Sequence, residues 1–216
     1  MHIPDGIVNG ATSAGFGLVA AGGFGASVRR ARRVLEDRHV PLAALTAAFV
    51  FAAQMVNFPV IAGMSGHLLG GVLACVFVGP STGVVVVGIV LVVQSMLFAD
   101  GGLTAIGLNI TNMALIGGLG GYGVFRLLRS VLRRAPVAAL AAVAAFVSVP
   151  LSALGFVAQF AMGGVAEVSL GAVTAAMLGT HILIGIGEGV ITGFVVAAVA
   201  ASRPDLVLGE PARVRA

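Results

Sequence analysis

LGAVTAAMLGTHILIGIGEGVITGFVVAAVA, residues 170–200, carries only two ionisable side chains, His181 and Glu188. A helix of about 20 apolar residues crosses the hydrocarbon core of a bilayer, and this run exceeds that length. The rest of the chain has the same character. Of 216 residues, 59% are hydrophobic and 9% charged, with a mean hydropathy of +1.11, which excludes a water-soluble domain of ordinary composition. Further apolar segments at residues 11–28, 41–58, 66–82, 83–99, 105–126 and 136–162 bring the expected helices to seven. The sequence therefore predicts an all-α, polytopic membrane protein with about seven transmembrane helices. It forms a single integral-membrane domain over residues 1–216, with no soluble domain. Cys75 is the only cysteine and lies in an apolar run, so no disulfide framework or thiolate metal site is expected.

Charge sets the expected orientation. The net charge is +4, and all basic residues are arginines in three segments: Arg29, Arg30, Arg32, Arg33 and Arg38; Arg126, Arg129, Arg133 and Arg134; Arg203, Arg213 and Arg215. Short basic loops beside spans stay cytoplasmic. That places residues 29–38, 126–135 and a tail at 203–216 inside, and the N-terminus, 57–66, 98–104 and 162–169 outside. A nucleic-acid partner would need basic residues interleaved with aromatics on a soluble face, so none is expected; membrane lipid is.

Glycine is abundant, at 32 residues, and small residues let helices approach closely in lipid. Gly66 and Gly70, Gly117 and Gly121, Gly185 and Gly189, and Gly189 and Gly193 stand four apart. Gly17, Ala21 and Gly25 make a similar stripe in the first span. Each reads as intramolecular packing or as a docking face for another membrane subunit, the first-span stripe being the preferred docking candidate.

Polar side chains inside spans are costly and point to function. Under the expected topology they gather at the outer ends: Gln54, Asn57, Ser65, His67, Gln94, Ser95, Asp100, Thr104, Asn109 and Asn112. They predict a polar pocket open to the outside. The segment Met1-His2-Ile3-Pro4-Asp5-Gly6 lies on the same side. It lacks the basic residues and apolar run of a signal peptide; instead, the amine of Met1 and the amide and imidazole of His2 form a nitrogen chelate. His67 completes a planar four-nitrogen set of the kind that favours Cu(II) or Ni(II). Taken singly, His2 is equally a solvated terminus and His67 a hydrogen-bonded group at a helix end. Pro4 fixes its own φ and restricts Ile3, and Asp5-Gly6 fit a turn back to the first helix.

Met1-His2-Ile3-Pro4-Asp5-Gly6, Asn57-Phe58-Pro59-Val60, Ser65-Gly66-His67-Leu68-Leu69-Gly70-Gly71, and the segment from His181 to Gly189 together resemble the CbiM/NikM family, the cobalt/nickel substrate-capture component of energy-coupling factor transporters. The resemblance runs from Met1 to about Ala200. It implies capture of Ni²⁺ or Co²⁺ at the outer face by Met1, His2 and His67, residues 1–10 being the metal-binding segment. It also implies a multi-pass location in the inner (plasma) membrane of the cell. The implied partners are a transmembrane coupling subunit, two cytoplasmic ATPase subunits and a small accessory membrane protein. The ion is cargo, and no organic cofactor is implied. The family commonly has a threonine before the second motif, where this chain has Ala62-Gly63-Met64. Its Pro4-Asp5 pair is closer to the nickel branch than to the cobalt branch, where Met-Glu is more usual; cobalt uptake for cobalamin synthesis is the alternative.

Asp5, Asn57, Ser65, Asp100 and Asn109 read as residues around the metal or lining its path. His181 and Glu188, two turns apart on one face of the last span, read as a hydrogen-bonded pair or network tying that helix to its neighbours, with a second metal station or a proton relay as the functional alternatives. His39, on the expected cytoplasmic side, takes no part in capture. The chain has no lysine and so no phosphate-binding Gly-x-x-x-x-Gly-Lys-Ser/Thr loop. It also lacks paired carboxylates, a nucleophile elbow and a zinc-hydrolase motif, which argues against an enzyme. A carrier driven by an ion gradient is the rival from another class.

Overall fold

The computed structural model describes residues 1–208, so Arg213 and Arg215 lie outside the described residues. Seven helices form the described chain: α1 (Gly10–Val34), α2 (Val40–Gln54), α3 (Gly71–Val78), α4 (Pro80–Leu97), α5 (residues 106–131), α6 (Val137–Gly163) and α7 (Leu170–Ser202). The long apolar helices α1, α4, α6 and α7 each suffice to cross a membrane. Asn9 caps α1 through its side chain, which accepts from Thr12 N–H, and Ser169 caps α7 by accepting from Ala172 N–H. Both supply an acceptor to an otherwise orphaned first-turn donor. The protein is a multi-pass membrane protein.

Two expected spans take another form. The segment expected at 41–58 stops being helical at Gln54, and the one expected at 66–82 is non-helical to Gly70, forms α3 over Gly71–Val78 and ends in the start of α4 at Pro80. Between them a two-stranded antiparallel hairpin pairs β1 (Phe58–Pro59) with β2 (Ser65–Gly66), and residues 67–70 continue without helix. Extended chain advances roughly 3.3 Å per residue and helix 1.5 Å. Residues 65–70 followed by α3 thus cover about 30 Å, a full hydrocarbon thickness. Gly66 and Gly70 consequently do not share a helical face. At the far end Gly79, with φ +83°, turns the chain where a side chain would be strained. Pro80 then opens α4 at a position that needs no N–H donor.

Non-helical backbone inside a membrane survives only where its polar groups find partners within the protein. They find them here. Leu69 N–H and Gly70 N–H donate to the two carboxyl oxygens of Glu188, at 2.6 and 2.7 Å. Leu69 C=O accepts from Gln54 Nε2 at 2.7 Å.

The midsection of α5, Ile110–Gly120, winds as π-helix, which leaves backbone groups for partners elsewhere. Asn112 C=O accepts from Ser152 Oγ at 2.7 Å, and the side-chain amides of Asn112 and Gln159 bond reciprocally at 2.7 and 2.9 Å. Asn112 therefore ties α5 to α6.

The remaining glycine pairs pack inside the chain. A Cβ on Gly117 or Gly121 would meet Leu69 or Val72, and one on Gly185 or Gly189 would meet the carbonyls of Phe146 or Ala142 in α6. In the α1 stripe the backbone of Gly17 lies against Gly107 of α5, while a Cβ on Gly17 or Gly25 would meet nothing, so that stripe faces open space.

Candidate metal centre

The first nine residues run as an extended strap that stitches together the loops at one end of the bundle. Ser65 N–H donates to His2 C=O, Gly102 N–H to Ile3 C=O, Val165 N–H to Ile7 C=O, and Asn9 N–H to Gly163 C=O. Asn109 binds Ile3 twice, accepting its N–H at 3.0 Å and donating to its carbonyl at 3.2 Å, as a neighbouring strand would. The carboxylate of Asp5 accepts from Leu103 N–H and from the amide and hydroxyl of Thr104. These bonds hold the carboxyl of Asp5 below its usual range, the Thr104 hydroxyl contributing most. Gly101 has φ +91°, and a Cβ there would press on the His2 ring; one on Gly102 would collide with Asp5. Two consecutive residues without side chains make room for the strap.

The strap fills the space that the sequence reading left as an open polar pocket. Met1 and Ile3 are 0% exposed, His2 is 3% exposed, and His67, Gln54, Gln94, Asn109 and Asn112 are each 1% exposed or less. The outer polar residues thus enclose the N-terminus instead of lining a water-filled vestibule.

Met1, His2 and His67 come together beneath this lid. The imidazoles of His2 and His67 have ring centres 4.3 Å apart and planes inclined by 30°. His67 Nδ1–H donates to Leu68 C=O at 2.6 Å, which makes its Nε2 the lone-pair nitrogen, and that Nε2 is buried without a partner. Asp100 stands beside His2, its Oδ1 3.0 Å from Nδ1. This is an ion-pair distance, although the approach is out of line for a hydrogen bond. Asn57 Nδ2 donates to the other oxygen of Asp100 at 2.7 Å. The His2 amide donates to Ser65 Oγ at a long 3.4 Å.

Burial dominates the electrostatics. It pushes the Met1 amine well below its ordinary value of 8.0, against the pull of Asp100 and Glu188. It also lowers the His2 imidazole, again against Asp100. For Asp100 burial acts in the opposite direction, but its contacts with His2 and Asn57 outweigh it and hold the carboxyl below the usual range. The result is a cluster of neutral nitrogen donors, the protonation state that metal binding requires. Among the described residues, no three His, Cys, Asp or Glu side chains form a metal-binding cluster, so a site here depends on main-chain nitrogens.

Asp5, Asn57, Ser65, Asp100 and Asn109 all hold the strap or its neighbours. His181 and Glu188 do not bond to each other: His181 Nδ1–H donates to Met177 C=O at 2.7 Å, and Glu188 carries the backbone beyond His67. Glu188 thus ties the last helix to its neighbour, as the sequence reading expected, although its partner is backbone and not His181; the space at Gly101-Gly102 was missed in the sequence. The available signal for the backbone partner was an acid in an apolar span opposite a glycine-rich break.

Comparisons with known proteins show the family to which this fold belongs. A family model described as cobalt uptake substrate-specific transmembrane region matches residues 2–206. A relative from Haloquadratum walsbyi is 39% identical over 213 residues, covering 96% of this chain and 93% of its own. The fused nickel transport protein NikMN of Rhodobacter capsulatus is 38% identical over 127 residues, 59% of this chain and 37% of that one. The cobalt transport protein CbiM of Geobacter sulfurreducens is 31% identical over 214 residues, 96% of this chain and 61% of that one. A crystal structure of a transition metal transporter superposes with a TM-score of 0.88 at 28% identity, covering 94% of this chain and 93% of the other.

Proposed function

Because this chain belongs to the cobalt-uptake substrate-specific transmembrane (CbiM) family, and is thus a cobalt/nickel transport component, we propose that it captures Ni²⁺ at the extracytoplasmic face for an ATP-driven importer of the energy-coupling factor type. In this reading the strap end is outside, and the donors are the Met1 amine, the His2 amide and imidazole, and His67 Nε2. Residues 1–216 act as one metal-capture domain. ATP is hydrolysed by two separate cytoplasmic subunits that act through a transmembrane coupling subunit, with a small accessory membrane protein alongside.

The observation that carries the capture site is the pair of buried imidazoles. Two imidazoles at adjacent corners of a square, each nitrogen about 2 Å from one ion, have ring centres about 4.4 Å apart; the separation in the chain is 4.3 Å. If Met1 and His2 fill three corners through fused chelate rings, His67 takes the corner next to the His2 imidazole. The ion displaces the amide proton of His2, whose bond to Ser65 is long and readily given up. The ring nitrogen that closes the chelate with the His2 amide is Nδ1, so Asp100, 3.0 Å from it and held by Asn57, adds a carboxylate beside the ion, and Asn109 and Asp5 fix the strap.

Nickel over cobalt is supported by Pro4-Asp5 and by the higher identity to the nickel-named relative than to the cobalt-named one. Competition between the two ions in calorimetry tests it. The capture site is tested by adding one residue before Met1, or acetylating it, and measuring Ni²⁺ and Co²⁺ affinity. A large loss is expected, and unchanged affinity sinks the amine ligand. His67→Ala should abolish the square-planar absorption of the nickel complex. Uptake into proteoliposomes by this chain alone without ATP would favour an autonomous carrier instead.

A further inference from the structure

Below the strap, a third histidine has the same chemical state as His67. His181 in α7 is 0% exposed. Its Nδ1–H is committed to Met177 C=O, so Nε2 carries the lone pair, and that nitrogen is buried without a partner. Leaving a buried acceptor unpaired destabilises the fold, a cost that an apolar residue at the same position would avoid. A histidine whose other ring nitrogen is anchored on a carbonyl is also the usual form of a metal ligand.

The fold sets this imidazole beside the capture site. Residues on either side of His181 pack on the residue before His67: an ideal Cβ on Gly66 would lie 2.7 Å from Ile184 Cδ1 and 3.4 Å from Thr180 Cγ2. Two turns further along α7, Glu188 binds the backbone just beyond His67.

We propose that His181 Nε2 is a second metal donor, which holds the divalent transition-metal ion together with His67 Nε2 once the ion has left the Met1 and His2 nitrogens. The inference rests on the capture site proposed above. When the ion moves, the His2 amide takes back its proton and His67 remains bound, so no step strips the ion of every protein ligand. Two donors hold an ion more weakly than four, which suits a station on the way in or out.

The test uses the full chain in detergent or nanodiscs with Ni²⁺ alone. Extending the N-terminus by one residue removes the capture plane and should leave a single, much weaker residual site whose X-ray absorption counts two imidazoles. Adding His181→Asn, which keeps an N–H for Met177 but has no Nε2, should abolish that residual binding. His181→Phe serves as the second variant, and a melting curve confirms the fold of each. The proposal is overturned if the extended protein binds no Ni²⁺ at all, or if its residual site survives both His181 substitutions. Wild-type affinity in the extended protein overturns the capture reading as well, and so separates the two failures.

Discussion

Replacing Glu188 by Ala removes the acceptor of two amides in a non-helical stretch of backbone. Leu69 N–H and Gly70 N–H would lose partners at 2.6 and 2.7 Å, at a place where Glu188 is 2% and Leu69 0% exposed, so water cannot replace them cheaply. An unsatisfied buried donor costs about 1–3 kcal/mol, which puts the upper bound near 6 kcal/mol for the pair. Side-chain hydrogen bonds between membrane helices average only about 0.6 kcal/mol, because the unfolded chain in lipid also finds partners; that puts the lower bound near 1 kcal/mol. Both bonds are short, and residues 67–70 have no helical alternative that keeps α3 in place, so about 3 kcal/mol is expected. For a chain of this size each kcal/mol shifts the melting midpoint by about 2–4 °C, and Glu188→Ala should melt roughly 9 °C lower in detergent. Glu188→Gln keeps one oxygen acceptor and should fall between. Because His67 rides on the same segment, Ni²⁺ affinity should drop in parallel. A Glu188→Ala protein that melts within about 1 °C of the parent would refute the claim that this carboxyl holds the broken span together.

Other outcomes follow from the strap. Burial keeps the Met1 amine and the His2 imidazole neutral near pH 7.5, so Ni²⁺ binding there should release about one proton, that of the His2 amide. Calorimetry in two buffers of different ionisation enthalpy measures it, and release of two or three protons would contradict neutral donors. As pH falls below about 6.5, the ordinary imidazole value, the unfolded chain takes protons before the folded one. The metal-free protein should therefore lose stability on acidification, not gain it, as thermal melts at pH 5.5 and 7.5 would show. Asn109→Leu removes both bonds to Ile3 and leaves its amide buried and unpaired, a loss of about 1–3 kcal/mol. The strap should loosen and Ni²⁺ affinity fall about tenfold or more; a variant that binds as tightly as the parent would show that Asn109 does not position the strap.

The sequence by itself determined the solvent, the number of helices and the residues that meet. Hydropathy is additive along the chain, so residues 170–200 identify a membrane span wherever the neighbouring helices sit, and the arginine segments sort the loops onto two sides. With the loops sorted, Met1-His2 and His67 fall at one end, because alternation of spans needs no knowledge of packing. Tertiary structure decided what lies between those points. The apolar run carried the expected span back to Gly66, yet residues 66–70 leave the helix because Glu188, 119 positions away from Leu69, supplies the hydrogen bonds that a helix would have made internally. The polar residues at the outer end suggested an opening because their individual costs of burial are legible in the sequence. The bonds that Ser65 and Asn109 make to the backbone of His2 and Ile3, and Thr104 to the carboxylate of Asp5, are not legible there, and they turn the opening into a closed site around the N-terminus.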